Sequence, residues 1–438
     1  MIKIAVRSFA YHRTTAIATG LVALVGTILV TSMMSLLGTG LAESTAAADR
    51  AFLVQFPLIM GGWTVAIVLF AMVSTISVAL GGRAGEIAGI RLIGAAPRQV
   101  QWMLVVETAA VTAVTAPPGL AGGYLAGWIV TDSIQAAGLT GTGSVFAPGV
   151  LLPVLGVLVV LAASVLAAWI GSRSLARRSP VADATPPARR SRPGRGRRVA
   201  ATLMIGAGLA SSTAVLGMDP ADVLTTAMTG PGCVLVAVGL CVLAPELIAL
   251  VNRTSVRRAH RAAPSHLAAI NLSAAPDRVR PTVTFLTLFV GVAAGTLSMQ
   301  GIENVAGTTD STGQVLASIN YFVVALIAAF MAIALTNNLV SSISQRRAEF
   351  AVMSLVGSTG GQTHRMLVRE IGAATTISVI AGSVGAFLAV LPFAIVKTGN
   401  PLQAAAPLPY AVTIVIGIGV TLGVSSLVGR HVIRTATP

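Results

Sequence analysis

The stretch RAGEIAGIRLIGAAPRQVQWMLVVE, residues 83–107, stands between two long apolar runs. It is charged at both ends, apolar in the middle, and broken by a Gly-Ala-Ala-Pro turn. A related stretch, RRAEFAVMSLVGSTGGQTHRMLVRE, returns at residues 346–370. A shift of 263 residues superposes the two without a gap. Arg83 falls on Arg346, Glu86 on Glu349, Ala88 on Ala351, Leu92 on Leu355 and Gly94 on Gly357. Gln99 falls on Gln362, Met103 on Met366, Leu104 on Leu367, Val105 on Val368 and Glu107 on Glu370. Low complexity does not produce matches at charged and Gly positions, so the chain contains an internal duplication.

Around the two copies the chain is built for lipid. It is 55% hydrophobic and 10% charged, with a mean hydropathy of +0.85, whereas a soluble domain carries about 25% charged residues. Ten apolar stretches are long enough to cross about 30 Å of hydrocarbon. They lie near 15–40, 57–81, 103–130, 148–171, 199–217, 231–251, 281–300, 318–342, 367–396 and 408–429. Two spans precede each copy of the duplicated segment and two follow it. The expected fold is therefore an all-α integral membrane protein with two four-span units, residues 1–180 and 266–438. A basic linker and two connector spans, residues 181–265, join them. Both copies fall on the same side of the membrane, so the repeats are parallel. Gly26 in the first span and Gly291 in its counterpart are candidates for close helix contacts, because helices in lipid associate through small residues.

The charges set the orientation. With the N-terminus inside, nearly all of the 29 Lys and Arg lie in inner loops, Arg50 and Lys397 being the outer exceptions. The positive-inside rule then places both termini in the cytoplasm, and the excess of 27 Arg over 2 Lys points to a high-GC genome and hence a bacterial inner (plasma) membrane. The net charge of +15 does not signal nucleic acid, because it is divided among short loops and aromatic residues are sparse. The linker RSLARRSPVADATPPARRSRPGRGRR reads as a disordered segment facing lipid headgroups. Cys233 and Cys241 share one apolar run and read as core residues rather than as a disulfide or metal site. Outer loops of about 10–17 residues are too short for a folded domain, which seldom falls below about 50 residues.

The duplicated segment itself predicts a short helix over 83–94. Ile87, Ala88, Ile90, Leu92 and Ile93 lie among Arg83, Glu86 and Arg91; Phe350, Val352, Met353, Leu355 and Val356 are their second set. Gly94 and Gly357 stand where a left-handed cap would end it. Such a helix is too apolar to lie free in the cytosol and must meet headgroups or a partner's groove. The recurring Arg and Glu positions favour a docking surface used twice. Glu107 and Glu370 sit about one turn into the following spans, where a bare carboxylate is costly. Each is either a proton or cation site or the partner of an Arg at the inner interface, such as Arg369 beside Glu370. Pro117-Pro118 and Pro392 are candidate kinks in the third and ninth spans.

Both copies fit the pattern R-x-x-E-[IF]-A-x-[IM]-x-x-[IVL]-G, with a Gln and then a Glu at the start of the next span. On these residues the chain resembles the permeases of the FtsX/MacB-like family of ABC transporters. ARRSPVADAT after the fourth span is similar to the family's Arg-rich end, which the second copy lacks. The resemblance implies that the segment is a coupling helix docking on a separate ATPase subunit. It carries the docking role to Arg83, Glu86, Ile87, Ile90, Leu92 and Gly94, and to Arg346, Glu349, Phe350, Met353, Leu355 and Gly357. ATP and Mg²⁺ then belong to the partner, because this chain has no G-x-x-x-x-G-K-[ST] loop, and no cofactor or catalysis is expected on it. Two coupling helices imply two ATPase copies per permease. The function implied is export, or extraction from the bilayer, of a hydrophobic or amphipathic compound such as a peptide, antibiotic or lipid. The alternative is a mechanical transmitter that regulates an envelope enzyme or sensor without transport; short outer loops give it little to grip.

Overall fold

The computed structural model describes residues 13–81, 84–136, 138, 140–141, 145–176, 195–220, 222, 224–258, 263–307 and 311–436. Arg83 and linker residues 177–194 lie outside them. Among the described residues the regular structure is entirely helical. The α-helices are α1 (Arg13–Leu41), α2 (Ala47–Gly81), α3 (Ala84–Leu92), α4 (Pro97–Ala136), α5 (Leu151–Ala176), α6 (Arg195–Thr213) and α7 (Leu224–Val242). They continue as α8 (Ala244–Arg258), α9 (Ala263–Ala274), α10 (Arg280–Ala306), α11 (Ser311–Ser344), α12 (Arg347–Leu355), α13 (Gly360–Thr398) and α14 (Pro407–Ala436). Nine helical segments among the described residues are long and apolar enough to cross a membrane. The remaining expected span, 318–342, falls within α11.

The sixth span differs from its expected limits, 231–251. Its helix starts earlier, at Leu224, runs through Pro231 and stops at Val242. Leu243 forms a turn and Pro245 stands at the start of α8, where its missing N–H costs nothing. Ala244 and Ile248 of α8 are buried while Leu250 is exposed, so the charged residues from Glu246 onward lie on a separate helix. Pro117-Pro118 and Pro392 lie inside continuous α4 and α13.

The helices divide into two units: residues 1–191 with 307–330, and residues 192–306 with 331–438. In the first, α1 packs along α4, α2 and α5. In the second, α10 packs along α13 and α14, and the connector helix α7 packs on both α10 and α13. The duplication is visible in the contacts themselves. A Cβ added to Gly119 of α4 would lie 2.8 Å from Thr27 Cβ and 3.4 Å from the Leu24 carbonyl oxygen on α1. With the same 263-residue shift, a Cβ at Gly382 of α13 would lie 2.9 Å from Val290 Cβ and 3.0 Å from the Thr287 carbonyl oxygen on α10. One seam is built twice, with glycine as the residue that lets the backbones approach. Gly26 and Gly291 are not equivalent under the shift: Gly26 faces Val68 of α2, whereas Gly291 lies in the second seam, its backbone N 3.0 Å from the Cβ added at Gly382, and also faces Ala237 of α7.

Candidate docking site

The two short helices, α3 and α12, have nine residues each and end identically. Gly94 has φ +105° and Gly357 φ +94°. The Gly94 N–H donates to the Arg91 carbonyl and that of Ala95 to the Ile90 carbonyl. The Gly357 N–H donates to the Ser354 carbonyl and that of Ser358 to the Met353 carbonyl. This is the Schellman pattern, which needs a left-handed residue and so favours glycine. The next helix starts three residues after each glycine, at Pro97 and Gly360. The Ala96 N–H donates to Gln99 Oε1 at 2.9 Å and the Thr359 N–H to Gln362 Oε1 at 3.0 Å. In the second copy Thr359 Oγ1 also accepts from the Gln362 N–H, completing a capping box. The repeated Gln is thus a helix cap, a role its position in the motif did not reveal.

Each short helix is anchored at one end and bare at the other. Ile87 and Phe350, equivalent under the shift, are 2% and 1% exposed. Phe350 joins a cluster with Ala268, Ile343, Met366, Leu367, Ile371, Val432 and Ile433, and Met353 packs against it. Ile90 is half-buried and Glu86 exposed. At the capped end Leu92 and Ile93 are 67% and 90% exposed, and Leu355 and Val356 are 80% and 83% exposed. The twelve motif residues therefore have different duties. Ile87, Phe350 and Met353 hold the helices, Gly94 and Gly357 turn the chain, and Leu92 and Leu355 face outward. Ile93 and Val356 complete the outward pairs.

The charges of the second copy turn inward. Arg346 Nη1 donates to Glu370 Oε1 at 3.1 Å and Nη2 to Glu370 Oε2 at 3.0 Å. Arg346 Nε donates to Glu349 Oε2 at 3.2 Å, and Arg278 Nη1 reaches Glu349 Oε1 at 2.7 Å. Arg346 and Glu370 are buried, and the guanidinium carbon lies 5.3 Å from the centre of the Phe350 ring. Burial opposes the charge on Arg346, but Glu370 and Glu349 outweigh it and raise its pKa above the ordinary value. Glu370 therefore has an arginine partner, but that partner is Arg346 and not the neighbouring Arg369, which is exposed. Glu107 holds the equivalent buried place on α4. Arg278, in the turn Pro276–Arg278 before α10, is outside the motif and had no sequence signal.

Three further ion pairs involve cations flagged by the charge count or the linker. Lys397 Nζ is 3.0 Å from Glu303 Oε1, which also accepts from Thr226 Oγ1 at 3.0 Å. Arg197 donates to both oxygens of Glu246, at 2.8 and 2.9 Å, and Arg198 Nε to one at 3.1 Å. Burial works against ionisation of Glu246, but these hydrogen bonds prevail and hold its carboxyl below the ordinary carboxylate range. Among the described residues no three His, Cys, Asp or Glu side chains converge as metal ligands would.

A family model described as "FtsX-like permease C-terminal" matches the chain over residues 58–180 and again over 321–437. The two matches together take in more than half of the chain, and each contains one short helix with its capped end. No curated protein matches the chain.

Proposed function

The chain belongs to the FtsX-like permease family of ABC transporters, and from that premise we propose that it is the membrane subunit on which a separate ATPase docks through α3 and α12. The observation that carries this reading is the pair of outward ends, Leu92-Ile93 and Leu355-Val356, exposed in the same register of both repeats. Four large apolar side chains at two matching tips suit apolar grooves on two copies of one partner. The ATPase supplies the nucleotide site and its Mg²⁺, and this chain contributes no catalytic group. In this reading the tips and both termini lie in the cytoplasm, which the positive-inside charge distribution supports, and the chain sits in the bacterial plasma membrane.

The cargo in this reading is a hydrophobic or amphipathic compound, such as a peptide, antibiotic or lipid, exported or drawn out of the bilayer. Only residues 42–46 join α1 to α2, and a compound without a capture domain must meet the membrane helices themselves. The same short connection offers little purchase for transmitting force to an envelope partner, which disfavours the non-transporting reading. The test is the quadruple variant L92E/I93E/L355E/V356E, co-expressed with the candidate ATPase and purified from membranes. The variant should insert and melt like the wild type but carry no ATPase. Stoichiometric ATPase on a folded variant would overturn the docking assignment.

A further inference from the structure

The second docking helix is joined to the membrane helices by the chain itself, by the packed Phe350 cluster and by charges. The covalent route from α12 to α13 passes through Val356, Gly357, Ser358 and Thr359, a turn with one left-handed residue. The polar route is the charge network. Arg346, at the foot of α12, makes a two-pronged contact with Glu370 on α13 and also holds Glu349 on α12. Glu349 in turn takes the Arg278 guanidinium at 2.7 Å, and Ser342 Oγ donates to the Arg278 carbonyl at 3.3 Å. Arg278 lies two residues before the start of α10. The network thus reaches α13 through Glu370 and α10 through Arg278, and α10 and α13 are the two helices of the glycine seam.

We propose that Arg346 is a positioning residue that ties α12 to α10 and α13 at once, so that displacement of the Leu355-Val356 tip by the ATPase is passed to both. The inference rests on the docking reading above. A paired guanidinium and carboxylate fix angle as well as distance, which a packed apolar contact does not. Stability alone is a poor reason for the arrangement, because buried ion pairs replaced by well-packed hydrophobic side chains of similar size often cost nothing. What the pair adds is a set geometry between a nine-residue helix and the spans it must move.

The experiment uses the full chain reconstituted with its ATPase in nanodiscs, comparing wild type, R346Q/E370Q, R346K and R278Q. The readouts are ATPase co-purification, permease-dependent ATP turnover, and the KM for ATP. In R346Q/E370Q permease-dependent turnover per bound ATPase should fall about tenfold. R346K, which keeps the charge but not the fork, should recover only part of it. R278Q, whose partly exposed side chain makes it safe to fold, should lose about half of the stimulation. Full stimulation in folded R346Q/E370Q would overturn the proposal, as would full stimulation in R278Q if the double variant fails to insert. Loss of ATPase binding by a folded R346Q/E370Q would also overturn it, by making the network part of the docking face. A wild-type complex that never forms would instead overturn the docking reading beneath it.

Discussion

Ile87 and Phe350, 263 positions apart in the chain, occupy the same buried place on two short helices, and in each the residues five and six places further on are exposed. Anchor and tip should therefore separate experimentally. Phe350→Ala empties a site in a packed cluster, for which truncations cost about 3–5 kcal/mol. It should lower the melting temperature in detergent. L355A/V356A removes exposed side chains and should leave melting unchanged while weakening ATPase binding at least about tenfold. Equal melting losses in both variants would show that the tip is part of the fold.

The capping glycines act through backbone alone. A Cβ at Gly94 or Gly357 would meet nothing within 4 Å, so any effect of Gly357→Ala comes from its positive φ, worth about 1–2 kcal/mol. Faster amide exchange at Gly357 and Ser358 should follow, with a weaker effect for Gly357→Asn, since Asn tolerates the left-handed region. Unchanged exchange in Gly357→Ala would mean that the turn does not depend on the Schellman bonds.

How much of this was legible beforehand depended on the range of each interaction. The spans follow from hydropathy, and the capped short helices from a local pattern: an apolar period closed by Gly94 or Gly357. The Arg346–Glu370 pair was not legible, because the nearest arginine in sequence to Glu370 is Arg369, and only the fold carries Arg346 to it from 24 residues away. Arg278 was hidden for the same reason. The end of α7 was misplaced because hydropathy stays high through Leu243, Ala244, Leu247 and Ile248, although Pro245 and Glu246 were there to mark a new helix. Lys397, the outer cation of the charge count, is paired by the fold with Glu303, which lies 94 positions away in the chain.

The repeated seam makes a paired prediction. Gly119→Val and Gly382→Val each place atoms inside contact distance of the facing helix, and overpacking of this kind costs about 1–3 kcal/mol. Both should lower thermal stability, by similar amounts. Gly372→Ala, on the same helix as Gly382 but facing open space, should be neutral. A neutral Gly119→Val beside a damaging Gly382→Val would show that the two seams, though alike in register, differ in tightness.

The Glu246 clamp gives a pH dependence whose sign is set. Its carboxyl pKa is depressed in the folded protein by Arg197 and Arg198. The stabilisation is therefore fully present above the unfolded-state pKa, about 4.3 for Glu, and is lost as pH falls through the lower folded value. Glu246→Gln removes the titrating group but leaves a hydrogen-bond acceptor. The wild type should thus hold the N-terminal turn of α6 to α8 more firmly than the variant at pH 7, and the difference should shrink as the medium is acidified below about pH 4. Amide exchange at residues 195–202, compared between the two proteins from pH 7 downward after correction for the intrinsic rate, measures it. A difference that widens in acid would mean that Glu246 is protonated in the native clamp and that Arg197 and Arg198 are held by something else.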